Sequence, residues 1–320
     1  SRGGHASSVM GHNLGIMMQK ILLLGANGQV GHALQTTLKP LGEVVCCTRA
    51  DLDLSSLAAQ PDTLDLLVQR VKPTIIVNAS AYTAVDRAEA EPELANLLNA
   101  QVPGMLGAAA QKLGACVVHY STDYVFDGKK AGAYQESDQT NPLSVYGRSK
   151  LEGERILSLN CKRSIVLRTS WVVGAEGGNF LKTMLKFAQE RDALRIVSDQ
   201  QGAPTSAKLL AQSTADILRL MAEQPATDPR WGLYHLVAAG QTNWHAYASH
   251  VIAQARQLGW PIKIKDEAIT PILTAEYPVA ATRPLNSVLD TSKIRKTFGL
   301  TLPDWQVGVD EVLQTLQRLR

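Results

Sequence analysis

The amino-acid sequence predicts an α/β fold, a doubly wound parallel sheet followed by a smaller mixed α/β lobe. Three observations carry the prediction. Short apolar runs alternate with helical patterns through the first half of the chain. The runs are apolar throughout rather than at every second residue, as strands covered on both faces are. A glycine-rich turn also links the first run to the first helical pattern, a place where such sheets gather ligands.

The segment "KILLLGANGQVGHALQTTL" reads as strand, turn and helix: Ile21 to Leu24 is the buried run, and helical spacing begins after Gly31. "EVVCCT" is a second short strand, a Leu- and Val-rich helix runs from about Asp62 to Val71, and "TIIVNA" is a third strand. One helix is expected through "PELANLLNAQVPGMLGAAAQKLG", leading into the strand "CVVHYSTDYVF". The helix "YGRSKLEGERIL" and the strand "SIVLRTSWV" complete the alternation, so residues 18–171 form the expected doubly wound domain. Beyond Trp171 the pattern is mixed. Helices are expected in "NFLKTMLKFAQE", "SAKLLAQSTADILRLMAE" and "NWHAYASHVIAQARQLG", strands in "LRIV" and "GLYHLVAAG", and Pro271, Pro278 and Pro284 punctuate an irregular stretch. Residues 172–320 are the expected smaller lobe, some of whose elements return to the first domain. Residues 1–17 lack hydrophobic periodicity and the apolar core of a secretory signal, and are expected to be an expression-derived or disordered leader.

Composition narrows the function. With 45% hydrophobic and 19% charged residues, the chain can bury a substantial core. A formal net charge of +3, evenly spread, argues against nucleic acid and anionic membranes as partners, and no apolar run approaches a membrane span. An anionic small molecule needs only a few local cations. Cys46, Cys47, Cys116 and Cys161 show no paired framework and read as buried reduced thiols, which favours the cytoplasm. The seven histidines lack metal-ligand spacing, so no zinc site is expected.

"GANGQVG" places Gly25, Gly28 and Gly31 at the first strand–helix junction. Glycines there allow a tight turn and let backbone N–H groups approach a pyrophosphate, which the helix N-terminus also favours. An ordinary glycine-rich turn is the bland alternative; the position favours a Rossmann-type dinucleotide site. NAD sites commonly carry an acidic residue at the end of the second strand. Here Thr48 and Arg49 follow instead, a hydroxyl and a cation suited to a 2′-phosphate, so NADPH is preferred and NADH remains possible. Ser121, Thr122 and Asp123 lie at the carboxyl end of the fourth strand. Soon after, Tyr146 and Lys150 stand one helical turn apart on one face, a spacing that chance supplies often when taken alone.

Taken together, GxxGxxG, "STD" and YxxxK resemble the extended short-chain dehydrogenase/reductase superfamily. The further segments "VNASAYTAVDRAEAEPELANLLNA", "STDYVFDG", "NPLSVYGRSKLEGE", "LRTSWVVG", "DQQGAPT" and "TRPLNSVLD" resemble the dTDP-4-dehydrorhamnose reductase family over residues 18–320. The resemblance implies NADPH-dependent reduction of the C4 keto group of dTDP-4-dehydro-L-rhamnose to dTDP-L-rhamnose, for rhamnose-containing cell-surface polysaccharide such as O-antigen.

The resemblance also implies roles. Tyr146 is the proton donor, Lys150 lowers the phenol's pKa and bonds the nicotinamide ribose, and Thr122 orients the substrate carbonyl. Gly28, Gln29 and Val30 match the pyrophosphate loop, Asp53 and Leu54 the adenine contacts, and Ala81, Tyr82 and Thr83 the segment beside the cofactor. Tyr120 matches a further cofactor-lining position. Thr122, Asp123, Tyr146 and Trp171 match sugar contacts, and Arg283 and Asn286 match the diphosphate and thymidine end. Some relatives join dimers through magnesium held by acidic side chains. The matching positions here are Ala33 and Lys208, so no such metal is expected, and the chain is expected to be a monomer or homodimer. The competing readings are another nucleotide-sugar epimerase, dehydratase or reductase of the superfamily, and a non-catalytic NADP-binding regulatory subunit. A dehydratase is disfavoured because Tyr124 stands where its glutamate is expected, and the intact Thr122, Tyr146 and Lys150 count against a non-catalytic subunit.

Overall fold

The structure is a computed structural model that describes residues 18–320; the expected leader, 1–17, lies outside the described residues. Six strands form the central sheet: β1 (Gln19–Leu24), β2 (Gly42–Cys47), β3 (Ile75–Asn78), β4 (Cys116–Thr122), β5 (Ser164–Thr169) and β6 (Gly232–His235). Their spatial order is β6-β5-β4-β3-β1-β2, and every neighbouring pair is parallel. The longer helices are α1 (Gln29–Thr37), α2 (Thr63–Val71), α3 (Val102–Leu113), α4 (Val145–Asn160), α5 (Phe180–Glu190), α6 (Ala207–Met221), α7 (Trp244–Gln257) and α8 (Trp305–Arg318).

The apolar runs are continuous because each strand is covered twice. Ile21, Leu23, Val77, Val118 and Leu167 pack with α1 and α6 on one face. Leu22, Leu24, Ile76, Val117 and Val166 pack with α2, α3 and α4 on the other. The chain steps from β1 outward to β2, then crosses to β3 on the opposite side of β1. That reversal opens a crevice at the carboxyl ends of β1 and β3, the usual ligand position of such sheets. Beyond Trp171 the chain contributes β6 to the sheet edge and α6 to the layer over α1, where Thr37 Oγ1 donates to the Ala211 carbonyl at 3.0 Å. A separate core of Leu181, Leu185, Tyr247, Val251, Val309 and Leu313 joins α5, α7 and α8. Beside it, Leu194–Val197 pairs in parallel with Ile269–Ile272.

Two local expectations need correction. The single helix expected before β4 is interrupted: Pro92–Asn96 is α-helical, Leu97–Gln101 is a π turn, and α3 follows. Pro103 has no N–H to return to the carbonyl of Asn99, and the ladder widens there. The cysteines also differ. Cys47, Cys116 and Cys161 are buried free thiols, but Cys46 is exposed on β2, the edge strand of the sheet.

The sheet also holds a buried ion pair. Arg168 on β5 donates to both oxygens of Glu154 on α4, at 2.9 and 2.8 Å, with side chains only 3% and 8% exposed. Ser121 adds a hydroxyl to the carboxylate, and the guanidinium lies 5.1 Å above the Phe126 ring. His235 meets Arg168 through Nε2 at 3.3 Å and the Tyr134 carbonyl through Nδ1 at 3.0 Å. Arginine only donates and a carbonyl only accepts, so this histidine is the neutral Nδ1–H tautomer. Burial, with the Arg168 charge second, holds its pKa down at about 3.

Removing one member of such a pair strands the other charge. Glu154→Leu is expected to lose about 3–5 kcal/mol in urea unfolding, and Glu154→Leu with Arg168→Met to recover most of it. A single-variant loss below about 1 kcal/mol would show the pair to be solvated rather than buried.

Candidate active site

The glycine turn is built by close approach. Gly25 has φ +71°, and a Cβ there would lie 2.6 Å from the Ala79 carbonyl and the Ser80 nitrogen. At Gly31 a Cβ would fall 1.9 Å from the Gly25 oxygen, so α1 starts directly against the turn. Gly28 is the N-cap of α1, and no side chain caps the helix. The first-turn N–H groups, from Gln29 and Val30 onward, are left for an anion, with the helix dipole behind them. The Val30 side chain packs into the core, and Gln29 accepts from Asn179 Nδ2 at 2.9 Å, tying the turn to the start of α5. A cleft of about 640 Å³ runs from Gly25 and Gly28 past Thr48, Arg49, Asp53 and Leu54 to Ala81, Tyr82 and Thr83. The cradle and the cleft's volume fit a dinucleotide.

At the end of β2 the expectation is only half met. Arg49 is 86% exposed at the cleft and lies 3.6 Å from Asp53, which also accepts from the N–H and hydroxyl of Ser55. Thr48, however, donates to Asp51 from its N–H at 2.8 Å and from its hydroxyl at 3.0 Å. Those bonds hold the Asp51 carboxyl below its ordinary range. A carboxylate therefore does stand at this strand end, supplied from three residues further on.

Thr122, Asp123, Tyr146 and Lys150 converge at the carboxyl end of β4. Gly147 makes this possible: a Cβ there would lie 2.3 Å from the Tyr124 carbonyl, so α4 begins in contact with the turn after β4. Ser144 caps α4 by accepting from the Gly147 N–H at 3.1 Å. The Thr122 hydroxyl lies near enough to the Tyr146 phenol to favour its charged form, and the Tyr146 ring meets Tyr124 edge-on at 5.5 Å. Thr122 Oγ1 also accepts from the Tyr124 N–H at 3.1 Å and donates to Asp123 Oδ1 at 3.2 Å. Lys150, 3% exposed, donates to the Tyr120 carbonyl at 2.6 Å.

Burial governs the acidities here. It pushes the Tyr146 phenol up to about 12, against the pull of the Thr122 hydroxyl and with the Asp123 charge adding to the rise. The lowering expected from Lys150 is not seen, because desolvation prevails and the ammonium is engaged by Tyr120. Lys150 itself is drawn down to about 8 by burial, with Glu154 one turn below opposing the fall. Asp123 is lifted to about 7, again by burial.

Asn99 is a site residue that sequence reasoning missed. Fully buried in the π turn, it accepts from the Tyr82 N–H at 2.9 Å and donates to the Tyr82 carbonyl at 3.0 Å and to Ser149 Oγ at 3.1 Å. It thus fixes the cleft wall to α4 between Tyr146 and Lys150. Pro103, inside an otherwise helical run, was the available signal.

Other expected contacts are engaged within the protein. Tyr120 turns its phenol into the core, 2.6 Å from Thr214 Oγ1, and presents only its carbonyl to the site, because strand alternation places this side chain on the α6 face. Trp171 has φ +49°, stacks on Trp244 at 3.8 Å and covers Gly202. Arg283 grips Asp86 through two bonds of 2.7 and 2.9 Å, close enough to Tyr124 for its charge to act on that phenol. Asn286 donates to the carbonyls of Lys130 and Gly132 at 2.9 and 2.7 Å and accepts from the Val288 N–H at 3.0 Å, so its amide serves a loop rather than facing a ligand. Lys208 pairs with Glu311 at 3.6 Å and Ala33 packs against the core. Among the described residues, no group of three or more His, Cys, Asp or Glu side chains is placed to hold a metal ion.

Residues 18–318 match the family model described as the RmlD substrate binding domain. The dTDP-4-dehydrorhamnose reductase of Shigella flexneri is 46% identical over 92% of this chain and 97% of its own. A crystal structure of a dTDP-4-dehydrorhamnose reductase from Clostridium acetobutylicum superposes with a TM-score of 0.83 at 35% identity, covering 93% of this chain and 99% of that one. A reductase of the same name from Bacillus anthracis, solved in complex with NADP, superposes with a TM-score of 0.82 at 31% identity, covering 93% and 100%.

Lys150 makes a stability prediction. An ordinary lysine titrates near 10.5 and Lys150 at about 8. Between those values the unfolded chain holds the extra proton, so stability rises with pH across that window. Lys150→Met is expected to stabilise the ligand-free protein by about 1–3 kcal/mol at pH 7, while removing activity. The gain should shrink as pH rises from about 8 to 10.5. Urea midpoints across that range test it, and a loss of stability at neutral pH would refute the buried-charge account.

Proposed function

We propose a function from one premise: the chain belongs to the dTDP-4-dehydrorhamnose reductase family. It reduces the C4 keto group of dTDP-4-dehydro-L-rhamnose to dTDP-L-rhamnose with NADPH. The observation that carries this reading is the meeting of Thr122, Tyr146 and Lys150 beside a cleft that begins at the glycine cradle. No helix among the described residues is long and apolar enough to cross a membrane. We place the protein in the cytoplasm, as a monomer or homodimer, serving the synthesis of a rhamnose-containing polysaccharide. Residues 18–171 hold the cofactor, and 172–320 chiefly the nucleotide sugar.

When bound, NADPH supplies the hydride delivered to C4. The α1 N-terminus and the Gly25–Gly31 turn bind the pyrophosphate, and Ala81 to Thr83 line the nicotinamide side. Thr122 orients the keto oxygen. Tyr146, kept fully protonated by its burial, donates its proton to that oxygen as negative charge develops there. Lys150, held under the cleft by Tyr120, stabilises the phenolate left behind and meets the ribose hydroxyls. Asp123 and Trp171 flank the sugar. Arg283 faces the diphosphate when released from Asp86.

Tyr146→Phe is expected to lower kcat by about 10²–10⁴-fold while NADPH binding, read by fluorescence, survives. Near-native turnover would remove Tyr146 as proton donor.

Arg49 tests cofactor choice. A charge-assisted contact with the 2′-phosphate is worth roughly 1.5–3 kcal/mol, or on the order of 10–150-fold in kcat/KM. The exposure of Arg49 places the effect at the low end, and Asp51 beside Thr48 repels the same phosphate. Arg49→Ala should therefore weaken NADPH about tenfold and leave NADH nearly unchanged at fixed ionic strength. Equal losses for both would assign Arg49 to the adenine pocket. The Asp51 carboxylate also favours measurable activity with NADH in the unaltered protein.

A further inference from the structure

One half-buried side chain between the two parts of the site is left unused by this mechanism. Asn179 ends the connection that follows β5 and caps α5, where its Oδ1 accepts from the Lys182 N–H at 3.0 Å. With Oδ1 fixed by that donor, Nδ2 is the end turned away from the cap. It donates to Gln29 Oε1 at 2.9 Å and to the Gly174 carbonyl at 2.7 Å. Both ends of the amide are thus engaged within the protein, so Asn179 holds segments together rather than contacting a ligand. Gln29 is the first residue of α1, directly after the uncapped Gly28. The connection lies on this side chain: a Cβ on Gly174 would stand 3.6 Å from Gln29 Oε1, and one on Gly177 would stand 3.6 Å from Gln29 Cγ. Lys182 Nζ donates to the Gly177 carbonyl at 2.7 Å and ties the connection to α5. A second link, His32 to Glu176 at 3.5 Å, is exposed on both sides and contributes little.

The bond between Asn179 and Gln29 joins two regions that lie 150 positions apart in the sequence. At one end are the first-turn N–H groups of α1, the cradle for a pyrophosphate. At the other is α5, whose Leu181, Met184 and Leu185 pack into the core of the smaller lobe. Trp171, which opens the same connection, stacks on Trp244 at the start of α7. We propose that Asn179 is a positioning residue that couples the cofactor site to the nucleotide-sugar lobe. An anion on the first turn of α1 holds Gln29 in place. Through Asn179 it also holds the cap of α5 and the connection that carries Trp171. A sugar nucleotide that orders the lobe holds the same bond from its other end. Each ligand then meets a protein that the other has already partly ordered, and the gain in affinity is reciprocal. The inference rests on the reductase reading above, in which both ligands occupy the site together.

The test uses NADPH with dTDP-L-rhamnose, a dead-end pair in which both partners are already reduced and no hydride moves. NADPH affinity is titrated by its fluorescence with and without saturating dTDP-L-rhamnose. In the unaltered protein the sugar nucleotide should tighten NADPH about 3–10-fold, the worth of one well-formed hydrogen bond. Asn179→Ser keeps a good helix cap but is too short to reach Gln29. Gln29→Met keeps the side-chain length and the backbone N–H groups of α1 but removes the acceptor. Each should bring the tightening factor close to one, and combining them should lower it no further. A role in stability alone would shift the urea midpoint, or both separate affinities, and leave the factor in Asn179→Ser unchanged; that result would overturn the coupling. So would a factor near one in the unaltered protein, or losses that add in the combined variant. NADPH oxidation with dTDP-4-dehydro-L-rhamnose then separates the two readings. If it proceeds, only the coupling is wrong; if it is absent, the reductase reading falls as well.

Discussion

The contact on which the site depends is the seating of α4 against the turn after β4 and the π turn before α3. Two glycines allow it. Gly147 lies on the Tyr124 carbonyl, and Gly153 on the carbonyl of Asn99, where a Cβ would fall 2.0 Å from the oxygen. With the helix this close, three successive turns project Tyr146, Lys150 and Glu154 into the sheet. Tyr146 reaches Thr122, Lys150 the Tyr120 carbonyl, and Glu154 the Arg168 fork. A methyl group at either glycine would lift the helix and separate all three at once. The positioning of the chemistry is thus a packing problem before it is an electrostatic one.

Once the helix is seated, burial is the main influence on the acidities around it. It raises Tyr146 and Asp123 and lowers Lys150 and His235. The hydrogen bonds then sort them. Glu154, with Arg168 and Ser121 on its oxygens, is fully compensated, whereas Asp123 has no cation and one poorly satisfied oxygen. The two buried carboxyls nearest this part of the site thus stand in different surroundings, Glu154 paired and Asp123 without a cation. Thr169 Oγ1 and Ser170 Oγ, buried without partners at the end of β5, add further unused polar capacity at the same sheet edge.

Much of this was legible from local pattern. The continuous apolar runs specified two-sided burial, and the glycines specified the turn, because both are properties of a residue and its immediate neighbours. Tyr146 and Lys150 were readable from helix geometry. What was not legible came from pairings between distant segments or from backbone detail. Asn99 acquires its place through a π turn, Arg283 is held by Asp86 nearly two hundred residues away, and Tyr120 is assigned to the core by strand alternation. Asp51 was overlooked because the strand end was read at Thr48 and Arg49, and the short turn that folds its carboxylate back onto Thr48 is a backbone detail. Asn286 looked like a ligand contact by position, yet loop carbonyls occupy its amide.

The position of β6 has a consequence for synthesis. This edge strand lies beside β5 but is encoded more than sixty residues after it, and α6, which covers α1, is also late in the chain. A nascent chain that has just released β5 therefore carries an unpaired strand edge with apolar Ile165, Val166 and Leu167 at its centre, and an uncovered layer over α1. Such edges are templates for association with other chains. Long-range closure of this kind is also slow, since loop entropy is lost before the contact forms. The chain is most exposed to misassembly in the interval between translation of Thr169 and His235.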